Sequence, residues 1–175
     1  MLKELFNLFR SEDVLTRMGN DFSEMLALSY GLTLDAGLIL FREASEGPYR
    51  AELSKRDVQI NKVERKIRKQ VITHLTINKD RGDVPYCLLL MSIVKDVERL
   101  GDYAKNLAEV PEAGGAPIPD DDNGRELRIV RSAVEATFGA VSEVFATSDR
   151  KRALGLIQEG RKINRRCDEL VATVA

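Results

Sequence analysis

The chain has little of what most catalytic or cofactor-bearing proteins need. Its 175 residues include one histidine, two cysteines and no tryptophan, and aromatics make up only 6 %. One histidine leaves no Ser–His–acid or Cys–His constellation to assemble. A di-metal carboxylate enzyme of the helical-bundle kind wants Glu-x-x-His pairs, and Val71 stands three residues before His74 where the carboxylate is needed. Cys87 and Cys167 fall in helical phase, so they read as small core residues of a reduced protein rather than a disulfide framework. No apolar run approaches the ~18 residues of a membrane span. The opening Met1-Leu2-Lys3-Glu4-Leu5-Phe6 carries an early acid and no long apolar core, unlike a secretory signal. Charge of either sign is not in excess: 27 Lys+Arg face 28 Asp+Glu for a net of -1, which argues against nucleic acid as a main partner.

What is present is helical periodicity and an apolar content of 43 %, enough for a sizeable core. An amphipathic opener over about 2–10 puts Leu2, Leu5, Phe6 and Phe9 on one face, suited to folding back on a bundle or meeting a partner or membrane surface. A long helix over about 12–44 follows, with Leu15, Met18, Phe22, Met25, Ser29, Leu32, Ala36 and Ile39 as its seam. Glu46-Gly47-Pro48 breaks it. A second helix over about 48–77 has Leu53, Ile60, Ile67, Val71 and His74 in phase. His74 reads as a satisfied core or helix-end histidine. The cluster 78–83 is a turn, with Asp83 the expected N-cap and Pro85 in the first turn of a third helix over about 84–110. Its expected seam is Leu89, Ile93, Val97, Leu100, Ala104 and Leu107. Residues 111–124, rich in Pro, Gly and acids, form a linker. A fourth helix over about 125–147 (Leu127, Val130, Val134, Thr137, Val141, Val144) and a fifth over about 149–175 (Ala153, Leu156, Gly160, Ile163, Cys167, Leu170, Val174) complete the reading.

Ile163-Asn164 in the fifth helix echoes Ile60-Asn61 in the second, and the alignment also pairs Leu53 with Leu156, Ile67 with Leu170 and Val71 with Val174. Such an echo implies two similar three-helix units, the second lacking a sixth helix. The expected organisation is thus an all-α, antiparallel three-helix bundle repeat: segment 1–11, a first bundle over 12–110, a linker over 111–124 and a partial second repeat over 125–175, with a groove left for a partner.

The stretch Lys95 to Glu109 carries the candidate site. It sets Glu98, Asp102, Asn106 and Glu109 along one stripe of the third helix. Carboxylates four residues apart repel by a few tenths of a kcal/mol. Gly101 costs roughly 1 kcal/mol more against Ala. A helix that keeps both costs points to oxygen ligands for a cation beside a close approach to the backbone. Asp57 and Glu64 share one side of the second helix and can complete such a site. The competing reading is a solvated acidic face, neutralised by Lys95, Arg99 and Lys105 on the third helix and by Arg56, Arg65 or Arg68 on the second. Arg99 is expected to form a pair within its own helix.

The run Asp96-Val97-Glu98-Arg99-Leu100-Gly101-Asp102-Tyr103-Ala104-Lys105-Asn106-Leu107-Ala108-Glu109 resembles the signature third helix of PhoU proteins, and Arg56 to Glu64 resembles the second-helix pattern of that family. The resemblance covers about 12–110 well and 125–175 more weakly. It implies an all-α cytoplasmic regulator, not an enzyme, that restrains phosphate uptake and signalling beside a phosphate ABC transporter and a sensor kinase. It also implies a homo-oligomer such as a dimer and a surface metal (iron, zinc, manganese or magnesium) held by Glu98, Asp102, Asp57, Glu64 and Asn106. Asn61 stands where the family pattern has an acid, and Gly160 and Asn164 replace the acids of the second repeat, so a second metal site is not expected. Gly114-Gly115 lies in an acidic linker with no following Lys-Ser/Thr, so any phosphate response is expected to act through a partner. The alternative function is a structural, oligomerising bundle with neither metal nor phosphate role.

Overall fold

The computed structural model describes residues 12–43, 46–79 and 81–174, so the opener expected over 2–10 lies outside the described residues. Among the described residues five helices follow one another: α1 Glu12–Leu40, α2 Glu46–Ile77, α3 Val84–Glu109, α4 Asp122–Thr147 and α5 Arg150–Val174. No strand occurs among the described residues.

α1 is the central element. Met18, Phe22, Met25, Leu32, Ala36 and Ile39 are buried on its expected stripe, and Leu15 packs against that core. Ser29, also on the stripe, is fully buried, and its hydroxyl donates to the Val97 carbonyl of α3 at 3.4 Å. Burying that hydroxyl is tolerable because it is bonded. α1 ends in a Schellman-type turn: the Glu43 N–H reaches the Leu38 carbonyl at 2.9 Å and the Arg42 N–H the Ile39 carbonyl at 3.0 Å, with Arg42 left-handed at φ 55°. On α2, Leu53, Ile60, Ile67, Val71 and His74 are buried, as the period predicts, and Val63 is buried with them. α2 opens at Glu46, so Pro48 lies in its first turn, where a missing N–H costs nothing.

α3 departs from expectation. Its buried residues are Cys87, Leu90, Val94, Val97, Gly101, Ala104 and Ala108. Leu89, Leu100 and Leu107, expected in the seam, are 60 %, 41 % and 46 % exposed. Val97 and Ala104 are buried as expected, while at the other four positions the buried residue is the next one along, Leu90, Val94, Gly101 and Ala108. The reason is space: α3 packs on both α1 and α2, and Gly101, Ala104 and Ala108 let the backbones come close where leucines do not fit. Asp83 precedes α3 but makes no side-chain cap; its carboxylate instead accepts from Asn78 at 3.3 Å and meets His74 Nε2 at 2.9 Å. The histidine is thus buried and bonded at the α2–α3 turn.

α4 begins inside the expected linker, because Asp121 caps it by accepting from the Gly124 N–H at 2.8 Å. It runs antiparallel to α1 through Phe22–Phe145 (ring centroids 4.5 Å apart), Tyr30–Phe138 (5.6 Å) and Arg131 over Phe41 (4.9 Å). The stripe buried against α1 therefore centres on Phe138, while Val134 and Val141 of the expected seam stay partly open. Among the described residues α5 packs on α4 alone, and none of its residues is buried. Between them runs a groove of about 480 Å³ lined by Ala133, Ala136, Ala140, Gly155, Leu156 and Ile163, among others.

Candidate functional site

The α2–α3 face brings the candidate residues onto two adjacent helices. The Cβ position of Gly101 lies 3.3 Å from Ile60 Cδ1, so this glycine does mark a close approach, and what approaches is the neighbouring helix. Because the seam of α3 lies at Val97, Gly101 and Ala104, Glu98 stands beside it, its side chain only 13 % exposed. Asp102, Asn106 and Glu109 follow on the outer side and are exposed.

The three least exposed acids of this face each hold a basic partner. Lys95 Nζ donates to Glu98 Oε2 at 2.6 Å. Arg68 Nη1 donates to Glu64 Oε1 at 3.1 Å, one turn along α2. Lys105 of α3 reaches Asp57 Oδ2 of α2 at 3.8 Å. The hydrogen bond it donates to Glu98 holds the Lys95 ammonium more firmly protonated than in a free lysine, and the charges of Glu98, Glu64 and Asp102 reinforce it. Arg99 stays within its helix, donating to the Tyr103 hydroxyl at 3.3 Å, which raises its pKa further. Asn61 donates its side-chain amide to the Asp57 carbonyl at 3.1 Å. Arg56 and Arg65, expected among the neutralising partners on α2, turn elsewhere: Arg56 to Asp35 of α1 at 2.6 Å and Arg65 to the Asn61 carbonyl at 3.0 Å.

Carboxylate and amide oxygens suit a hard or borderline divalent ion. One of those carboxylates, Glu98, is taken up by the Lys95 ammonium at 2.6 Å. The arrangement is not a ready-made cage: among the described residues no three His, Cys, Asp or Glu side chains gather closely enough to hold an ion. Sequence reasoning named Lys105 only as a neighbour on its own helix; its reach across to Asp57 depends on the α2–α3 register, which periodicity does not encode.

Comparison with known proteins meets this geometry where the signature helix lies. The model of the PhoU domain matches residues 15–110, which span α1, α2 and α3. The chain belongs to the PhoU domain family. A phosphate-specific transport system accessory protein PhoU homolog from Zymomonas mobilis subsp. mobilis is 30 % identical over 117 residues, 65 % of this chain. The match spans 44 % of that protein's own length. No solved structure matches the chain. The PhoU match ends at residue 110, so α4 and α5 lie beyond it.

Proposed function

We propose that this chain is an accessory regulator of phosphate transport that acts by protein–protein contact, without catalysis of its own. The observation that carries the reading is the PhoU domain match over the first bundle, whose third helix holds the acidic signature. The name of the Zymomonas relative supplies the process: accessory to phosphate-specific transport. The partner chemistry follows from that process, a cytoplasmic face of a phosphate ABC transporter or its sensor kinase. The chain itself works from the cytoplasm in this reading. No helix among the described residues is long and apolar enough to cross a membrane, so contact with a transporter is made from its surface. The reading has a cation component: a divalent ion on Glu98 and Asp102, completed from Asp57, Glu64, Asn106 or water, would tie α2 to α3 and stiffen the docking bundle.

The test is genetic and direct. Deleting the gene in its host and following uptake of radiolabelled inorganic phosphate should show uptake that no longer falls when phosphate is plentiful. Uptake regulated as before would end the proposal. A second reading, a bundle whose role is self-assembly, draws on α5, which has no buried residue. Sedimentation of the purified chain separates the two: the second reading requires an oligomer and unaltered phosphate uptake in the deletion strain.

A further inference from the structure

The chain as a whole is net -1, yet α5 carries seven Lys or Arg against three Asp or Glu. Two of the seven are answered from α4, Arg152 by Glu143 at 3.0 Å and Arg166 by Glu126. Arg150, Lys151, Arg161, Lys162 and Arg165 are exposed and hold no acidic partner among the described residues. α2 is also rich in cations, but most of them are paired: Arg50 with Glu112, Lys55 with Glu52, Arg56 with Asp35, Lys66 with Asp21 and Arg68 with Glu64. The unanswered charge therefore collects on α5. Position adds to it. Arg150, Leu154, Ile157, Arg161 and Arg165 recur every three or four residues and share one face of the helix. That face is opposite Leu156 and Ile163, which line the groove toward α4. Leu154 and Ile157 stand there among the cations, 54 % and 53 % exposed.

We infer that the outer face of α5 seats on an anionic phospholipid surface, its cations meeting lipid phosphates while Leu154 and Ile157 enter the boundary between headgroups and acyl chains. Charge complementarity decides the occupant's sign, and the aliphatic pair decides its kind. Long Lys and Arg stems hold their charge at the phosphate level while neighbouring aliphatic tips sink below it. A nucleic acid uses aromatic platforms or base-edge contacts, and α5 has no aromatic residue and would leave both aliphatic side chains in water. An acidic protein partner needs a fitted patch of ~800 Å² on each side, which one convex helix face with two aliphatic residues does not supply. A bilayer surface demands no such fit. α5 is not long and apolar enough to cross a membrane, so it lies on the surface. α5 also lies beyond the residues matched by the PhoU model, so the inference stands apart from the phosphate-transport reading.

The test is flotation of the full chain with vesicles of equal parts phosphatidylglycerol and phosphatidylcholine, beside vesicles of phosphatidylcholine alone. Wild type should float with the anionic vesicles and not with the neutral ones. NaCl at about 1 M, where the screening length is about 3 Å, should release it. Each cation at an anionic surface is worth about fivefold in partition, so Arg161→Gln with Arg165→Gln should weaken binding about thirtyfold. Leu154→Ser with Ile157→Ser should weaken it about tenfold at unchanged charge. All four side chains are exposed, so these variants should fold, and far-UV circular dichroism checks that they do. Lys62→Gln with Lys69→Gln on α2 removes the same charge from another exposed face and should cost less than about threefold. Failure of wild type to float with anionic vesicles would overturn the inference. An equal loss from the α2 pair would reduce the attraction to net charge and overturn the assignment to α5. Undiminished binding by the Leu154/Ile157 variant would overturn the insertion. Binding of polyglutamate or of a DNA duplex as tight as that of the anionic vesicles would overturn lipid as the occupant.

Discussion

The bundle of α1–α3 and the hairpin of α4–α5 are built from helices of similar length, yet they are held differently. In the first, each helix touches both others, and side chains such as Met18, Met25, Leu32, Ile60, Ile67 and Leu90 are essentially sealed. In the second, α4 leans on α1 through three aromatic positions and α5 leans on α4 only. An apolar stripe contributes stability only to the extent that something covers it. α5 has a clear seam in sequence and no buried residue in space, so its amphipathicity is a potential not realised within the described residues. The ion pairs repeat the contrast. Arg166–Glu126 and Arg152–Glu143 lace α5 to α4 at an open surface, where such pairs are worth ~1 kcal/mol or less.

The sharpest way to break this comparison is a matched pair of truncations. Ile67→Ala in the sealed core should cost about 3–4 kcal/mol, whereas Ile163→Ala on α5 should cost about 1 kcal/mol, because little of its burial is lost. Urea unfolding measures both. Equal costs would mean that α5 is covered in solution by something that seals it. Next in size is Gly101→Leu, about 2 kcal/mol destabilising, since a branched side chain collides with Ile60. Gly101→Ala should be close to neutral: the helix gains up to ~1 kcal/mol of propensity while Ile60 Cδ1, the tip of a flexible side chain, moves a few tenths of an ångström.

The joint between the two regions is tested by Arg131→Ala. That guanidinium bridges Glu43 at 3.0 Å and Glu135 at 2.7 Å while lying over Phe41. Losing it should cost about 1–2 kcal/mol and let hydrogen exchange in α4 and α5 rise while α2 and α3 stay protected. Uniform exchange across all five helices would show that the two regions open as one.

The smallest effect concerns pH. Burial pushes the Asp35 carboxyl above its ordinary value; Arg56 pulls it down and Glu52 pushes it up again. The native state therefore keeps this proton longer than the unfolded chain does. Below 3.8 both states are protonated and the group is neutral to folding; as pH rises past that value the unfolded chain ionises first, and stability from this group falls until the folded carboxyl has ionised too. Asp35→Asn should flatten that part of the acid limb in a series of urea midpoints. An unchanged limb would assign the slope to other carboxylates.

The long stripes of α1 and α2 were legible because they repeat large residues once per turn, and size and burial then coincide. The breaks at Pro48 and at 78–83 were legible because backbone chemistry marks them. α3 was misread where size and burial part company. Leu100 and Leu107 attract a periodicity argument, but Gly101, Ala104 and Ala108 make the contact, since a helix wedged between two others is limited by distance before hydrophobicity. The misreading reached the candidate site too: with Leu100 and Leu107 in the seam, Glu98 fits a solvated acidic face, whereas it borders the interface, its side chain only 13 % exposed. Lys95 was readable as the partner of Glu98 from its i,i+3 spacing. Lys105–Asp57 and Arg56–Asp35 were not, because cross-helix register comes from packing. Asp83 had the residue type and position of an N-cap, yet His74 and Asn78 claim its carboxylate, and only tertiary structure brings them there.

The two thiols divide along the same line. Cys87 is fully buried in the bundle, and Cys167 is half-buried on α5, both free. A thiol reagent in native buffer therefore titrates two clocks in one molecule. The fast one counts excursions of the hairpin, and the slow one waits for the bundle to come apart.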